Sequence, residues 1–169
     1  MLRRFHRAIL GSFLFALVVI AGVFYALAPR KAPPLTFTFL NGQVTDFTQL
    51  IGRPIVVTFW ATDCASCLKE IPVLTKLYNT YHQRGLEIIG VSMYYDPPNH
   101  VVEFNKQYLL PYPLTLDIDG NIASAFAQTR VTPTTFLINP QGNIIWKHTG
   151  LFEFTQIQPK IDAFLSPTS

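Results

Sequence analysis

Six β-prone residues, Ile55-Val-Val-Thr-Phe-Trp60, are followed after a three-residue step by Cys64-Ala-Ser-Cys67, where a helical pattern begins. The β-branched and aromatic content of the first run reads as a strand buried on both faces. Leu68, Ile71, Leu74, Tyr78 and Tyr81 then recur at helical spacing, and Gly85 is a natural stop. A strand running directly into a helix confines the chain to α/β architectures. It also places the only two cysteines of 169 residues at the start of a helix. Closing so short a loop removes little chain entropy, so a bridge here would stabilise the fold weakly. A domain of this size buries enough core without one. The pair is therefore better explained by reactivity, cycling between dithiol and disulfide.

The thiolate is the nucleophile of a thiol pair, and a helix N-terminus lowers a thiol pKa. The helix dipole and free amides contribute about 0.3–2 kcal/mol. Cys64, at the helix start, is expected to be the exposed attacking sulfur, and Cys67, one turn further in, the thiol that resolves the mixed disulfide. Asp63 opposes thiolate formation by about 1 kcal/mol at ~6 Å, so the two influences are comparable in size. The preferred reading of Asp63 is the helix N-cap, with redox tuning of the pair as the alternative. Glu70 is three residues past Cys67, hence its neighbour on the helix surface. It is either a solvated helix charge or a group that exchanges a proton with the pair. Pro72, inside the same helix, reads as structural.

Residues 8–28 carry no charge and follow Arg3, Arg4 and Arg7. As a helix this run reaches about 30 Å, the thickness of a bilayer's hydrocarbon core. The flanking arginines hold that end in the cytoplasm. The expectation is a cytoplasmic n-region and transmembrane anchor over residues 1–28, a proline-bearing linker over 29–34 and a domain over 35–169 outside the cytoplasm. A cleaved signal peptide competes, because Ala26-Leu27-Ala28 resembles a cleavage site, but the apolar run is long and Pro29 would follow the cut. The net charge of +3 belongs to the anchor; the remainder balances ten basic against ten acidic side chains. A neutral domain has no electrostatic footprint for nucleic acid.

Along the domain, residues 35–39 and 44–47 flank Asn41-Gly42 as a hairpin. Residues 86–92 read as a buried strand, 99–108 as a helix, 112–116 as a short strand and 122–127 as a short helix. Residues 135–139 and 144–147 form a second hairpin around 140–143, and 154–165 a closing amphipathic helix. This order implies a mixed sheet with helices on both faces. Thr132-Pro133-Thr134 precedes a strand, where the X–Pro bond can be cis. Tyr94-Tyr95-Asp96-Pro97-Pro98 is expected near the active-site edge, as a plain loop or as a determinant of partner choice.

Phe59 to Cys67, Pro72 at its offset, Thr132-Pro133-Thr134 and the hairpin following Phe136 together resemble the TlpA/ResA-like branch of the thioredoxin superfamily. The likeness spans residues 35–165. It implies a thioredoxin-like fold with an extra N-terminal β-hairpin, a cis Pro133 against the cysteine pair, and no cofactor beyond a redox-active Cys64–Cys67 disulfide. It further implies Cys64 as nucleophile, Cys67 as resolving thiol and Glu70 as the acidic residue tuning the pair. Trp60, Asp63, Thr132 and Pro133 become candidate contacts for a protein disulfide substrate, Thr132 through its backbone. Such proteins reduce disulfides of exported proteins, often apocytochrome c, and are recharged by a membrane thiol–disulfide conduit of the DsbD/CcdA kind. Two departures stand out: Asp63 replaces the usual Trp, and Ala65-Ser66 lacks the usual proline. Both positions bear on the reduction potential. A Sco-like copper carrier would space its cysteines C-x-x-x-C and need a distal ligand, for which His148 is the candidate. A peroxiredoxin would need a threonine three residues before its cysteine, where Ala61 stands. No metal site is expected.

Overall fold

The computed structural model describes residues 17–20, 22 and 30–165. The chain divides into two units, residues 1–30 and 31–169. The n-region and anchor expected over residues 1–28 lie outside the described residues except at 17–20 and 22, which are helical. Among the described residues no helix is long and apolar enough to cross a membrane.

The second unit begins with an antiparallel hairpin of β1 (Thr36–Thr38) and β2 (Val44–Asp46). Five further strands follow: β3 (Ile55–Trp60), β4 (Glu87–Ser92), β5 (Leu114–Leu116), β6 (Thr134–Ile138) and β7 (Ile144–Thr149). They form one sheet in the order β5-β4-β3-β6-β7. β3, β4 and β5 run parallel, while β6 and β7 are antiparallel. The helices are α1 (Ala65–Tyr81), α2 (Pro98–Tyr108), α3 (Asn121–Ala125) and α4 (Phe154–Asp162). This is the mixed sheet the sequence implies. The second strand stops one residue short of its expected end, because Phe47 opens a 3-10 turn over Phe47–Leu50 and is itself buried.

Both faces of the sheet are covered, and strand alternation assigns each residue to a side. Val56 and Trp60 join Leu74, Leu77 and Tyr81 of α1, Val101 of α2 and Ile157 and Ile161 of α4. Ile55, Val57 and Phe59 join Phe37, Phe39 and Phe47 around the hairpin, and Ile122, Ala123 and Phe126 around α3. Phe59, Phe126 and Phe136 form a triangle of tilted and edge-on rings, with centroids 5.6, 5.9 and 5.3 Å apart. Each such buried ring contributes about 1.5–3 kcal/mol. The hairpin is tied to β5 by the Leu40 N–H donating to Leu114 O at 2.9 Å and by the Thr115 hydroxyl donating to Thr38 O at 2.8 Å.

Alternation also decides the surroundings of the cysteine helix. Thr58 lies between Val56 and Trp60 on the α1 side of β3. Its antiparallel partner on β6 is Thr135. A strand that looks continuously apolar thus turns one hydroxyl toward α1, and its neighbour turns a second.

Candidate active site

The site stands where β3 ends. Met93 N–H donates to Trp60 O at 3.0 Å, and Cys64 N–H donates to Ala61 O at 3.2 Å, closing the turn into α1. Cys64 is the N-cap of α1: its backbone is extended, at φ −86° and ψ 98°, and its Sγ accepts the Cys67 N–H at 3.2 Å. The cap expected at Asp63 is therefore wrong by one residue. Asp63 is exposed, and its carboxylate has no hydrogen bond or ion pair among the described residues.

Cys64 and Cys67 form a disulfide, with Sγ–Sγ 2.11 Å and Cα–Cα 5.2 Å. Cys64 is half-buried, whereas Cys67 is 2 % exposed. The burial follows from helix position, since Cys67 faces the core one turn in. Ser66 Oγ stands 3.4 Å from Cys64 Sγ. A disulfide sulfur carries no proton, so the hydroxyl is the donor. The helix start thus aims the Cys67 amide and a serine hydroxyl at Cys64 Sγ, and hydrogen bonds to a charged form favour it.

Glu70 is 1 % exposed, which rules out the solvated-charge alternative. Burial pushes its carboxyl up from the ordinary 4.5 to about 7; hydrogen bonds from Thr58, Thr135 and the Phe152 backbone pull weakly the other way. Thr58 Oγ1 donates to Glu70 Oε2 at 3.4 Å, and Thr135 Oγ1 donates to Thr58 Oγ1 at 3.0 Å. Glu70 Oε1 is buried without a hydrogen-bond partner of good geometry. A carboxyl that gains and loses its proton near neutrality, one helical turn behind a buried cysteine, can serve as that cysteine's proton acceptor and donor.

The second wall of the site is the loop entering β6. The Thr132–Pro133 bond is cis, and Pro133 is buried. Thr134 pairs with Phe59, so this loop sits at the same end of the sheet as the step from Trp60 to Cys64. Thr132 is half-buried; among the described residues neither its N–H nor its C=O joins a backbone hydrogen bond. Those groups are available to an extended polypeptide. Trp60 is not: it is 5 % exposed, and its ring packs on Phe104 with centroids 5.2 Å apart. The expected substrate contact at Trp60 is corrected, because alternation along β3 turns its side chain into the α1 core.

His148 stacks on Trp146 and its Nε2 lies 2.9 Å from Leu151 O. Among the described residues no three His, Cys, Asp or Glu side chains cluster as a metal site would.

Three residues near the site, Thr58, Thr135 and Asp96, have no individual role in the sequence reading. Thr58 and Thr135 are polar positions inside apolar strands, and that interruption was the available signal. Asp96, 5 % exposed, accepts the Thr62 N–H at 2.7 Å, the Thr62 hydroxyl at 2.6 Å and the Ser92 hydroxyl at 3.3 Å. The sequence places residues 94–98 at the active-site edge, as a plain loop or a determinant of partner choice, but an aspartate before two prolines reads as a turn residue and nothing local gives its carboxylate this role.

Comparison with known proteins agrees with this geometry. A family model described as Redoxin matches residues 28–163. The thiol-disulfide oxidoreductase ResA of Halalkalibacterium halodurans is 35 % identical over 125 residues, covering 74 % of this chain and 70 % of that one. ResA of Bacillus thuringiensis is 33 % identical over 122 residues, covering 72 % and 69 %. A thioredoxin-family thiol:disulfide interchange protein of Chlorobium tepidum superposes with a TM-score of 0.74 at 23 % identity, covering 82 % of this chain and 98 % of that one; at that identity it speaks for the fold. With a mixed thioredoxin-like sheet, a C-x-x-C pair capping the helix after its central strand and a cis-proline loop at the same sheet end, the chain belongs to the redoxin family, in its TlpA/ResA-like branch of thiol–disulfide oxidoreductases.

Proposed function

We propose that this oxidoreductase works as a reductase of disulfides in exported proteins, apocytochrome c among them, on the periplasmic face of a bacterial inner membrane. The observation that carries the reading is the pairing of a half-buried Cys64 at a helix N-terminus with a buried Cys67 backed by Glu70. In the dithiol form, the Cys64 thiolate attacks one sulfur of the substrate disulfide. A Cys64–substrate mixed disulfide forms and the other substrate sulfur leaves as a thiolate. Glu70 takes the Cys67 proton. Cys67 then attacks Cys64 Sγ, which closes the Cys64–Cys67 disulfide and releases the second substrate thiol. Two electrons pass from the pair to the substrate. Thr132 offers its free backbone groups to the substrate strand beside Pro133, and exposed Asp63 borders the entry. A membrane conduit of the DsbD/CcdA type returns the pair to the dithiol.

The uncharged N-terminal segment holds the domain at the membrane. Residues 8–28 are uncharged, and Leu17, Val18, Val19 and Ile20 are helical with exposed side chains, as lipid contact requires.

Equilibration of the purified protein with glutathione buffers tests the direction of electron flow. A reductase is expected between about −200 and −270 mV; a value near −120 mV, that of a strong oxidant, refutes it. Cys67→Ala should accumulate partners as mixed disulfides on Cys64, and Cys64→Ala should accumulate none.

A further inference from the structure

The loop joining β4 to α2 is built against both walls of the site. Met93 N–H donates to Trp60 O at 3.0 Å, and Asp96 N–H donates to Met93 O at 2.9 Å, folding residues 93–96 into a turn on the end of β3. Pro97 follows, and its ring biases Asp96 away from helical backbone, so α2 starts only at Pro98. That turn brings the buried Asp96 carboxylate onto Thr62, two residues before Cys64. One carboxylate accepts both the backbone N–H and the hydroxyl of Thr62, at 2.7 and 2.6 Å, with Ser92 on the same side at 3.3 Å. Hydrogen bonds to a charged acceptor are about twice as strong as neutral ones. The preceding residue, Tyr95, places its hydroxyl 3.4 Å from Thr132 Oγ1, on the opposite wall. A three-residue step with no regular structure, Ala61 to Asp63, thus has its middle residue pinned from outside the cysteine helix.

We propose that Asp96 is a positioning residue of the thiol–disulfide centre: by holding Thr62 it holds Cys64 within reach of Cys67 after the disulfide opens. This rests on the oxidoreductase reading above and adds a residue to it. Its effect falls on resolution of the mixed disulfide, in which the Cys67 thiolate attacks Cys64 Sγ, the Cys64–Cys67 bond forms, and the partner leaves as a thiolate. Two sulfurs held in register react at high effective concentration. Freed from Asp96, the Cys64 end of the step samples positions from which Cys67 cannot attack.

The test uses full-length protein, reduced and then mixed with glutathione disulfide. Acid-quenched samples are analysed by mass spectrometry for the Cys64–glutathione adduct. The variants are Asp96→Asn, which leaves one Thr62 donor facing an amide; Thr62→Val, which deletes the hydroxyl alone; and Thr62→Ser, which restores it. Asp96→Asn and Thr62→Val should each lengthen the adduct's lifetime at least about threefold. Together they should lengthen it no more than the stronger single change, because both break one contact. Thr62→Ser should match the unaltered protein. Thr62→Val keeps the test decisive if Asp96→Asn fails to fold. Unchanged adduct lifetimes in folded variants with lowered melting temperatures would make Asp96 a stability residue and overturn the proposal. Failure of the reduced unaltered protein to form either the adduct or the Cys64–Cys67 disulfide would instead overturn the oxidoreductase reading beneath it.

Discussion

Replacing Glu70 with glutamine should change the way stability depends on pH, and the size of the change follows from the site. Glu70 is 1 % exposed, and burial moves its carboxyl from 4.5 to about 7. The unfolded chain releases this proton near 4.5, while the folded chain keeps it until about 7. Between those values the folded state binds more protons, so stability falls as pH rises. Each pKa unit is worth 1.36 kcal/mol, which puts the accumulated loss at about 3 kcal/mol by pH 8. Glutamine keeps the shape and cannot ionise. Its amide adds a desolvation cost of about 1–3 kcal/mol, but that cost does not vary with pH, so the slope separates the two effects. The assay is urea unfolding of oxidised protein, followed by tryptophan fluorescence, from pH 4.5 to 8. The unaltered protein should lose about 3 kcal/mol relative to Glu70→Gln across that range, with every other titrating group cancelling in the difference. Parallel curves would mean that Glu70 is ionised throughout and would remove it as a proton acceptor poised near neutrality.

Three further outcomes follow from the same geometry. Thr58→Val deletes the hydroxyl that donates to Glu70 Oε2; the Glu70 carboxyl should titrate above 7, as read from its side-chain carbon resonance, and an unchanged or lower midpoint would show that Thr58 does not favour the charged form. Gly90→Ala in β4 places a Cβ 2.5 Å from Leu114 Cδ2 and 3.4 Å from Trp60 Nε1; chemical denaturation should show a loss of about 1–3 kcal/mol, whereas no loss would mean that Leu114 moves aside freely. Phe136→Ala empties a corner of the ring triangle with Phe59 and Phe126 and should cost about 3–5 kcal/mol, measured in the same way.

Element types were legible wherever the periodicity was long. The cysteine helix, the β-branched strand at 55–60, the strand expected over 86–92 and the hairpin around Gly142 are all present, the strand starting one residue late at Glu87 and the hairpin's first strand one residue early at Thr134. Element ends were placed less well, the strand expected over 112–116 starting at Leu114 and the helix expected over 154–165 ending at Asp162, and single residues were misread for local reasons. Phe47 extends an alternating run on paper, but a ring with a core to fill turns the chain into a 3-10 turn. Asp63 is a better cap by residue type than cysteine, yet Cys64 takes the role because its sulfur is one residue closer to the Cys67 amide. Trp60 borders the motif in sequence and was counted with the substrate contacts, but side-chain alternation sends it inward.

The sequence by itself determined the chemistry and its order. Two cysteines separated by two residues at a helix start, behind a buried strand and ahead of a Thr-Pro-Thr loop, point to a thiol pair that cycles between dithiol and disulfide, with Cys64 the proposed attacking end. Those relations are local, and local spacing suffices to write them. Only the tertiary structure decided the electrostatics around the pair. Glu70 could be a surface charge or a buried acid until β3 and β6 turned Thr58 and Thr135 toward it and the α1 core closed over it. Asp96 is 32 residues beyond Cys64, and no periodicity links it to Thr62. That contact exists because parallel β3 and β4 end side by side, with Trp60 opposite Ser92. A pKa depends on what surrounds a group in space, and sequence separation carries little information about that.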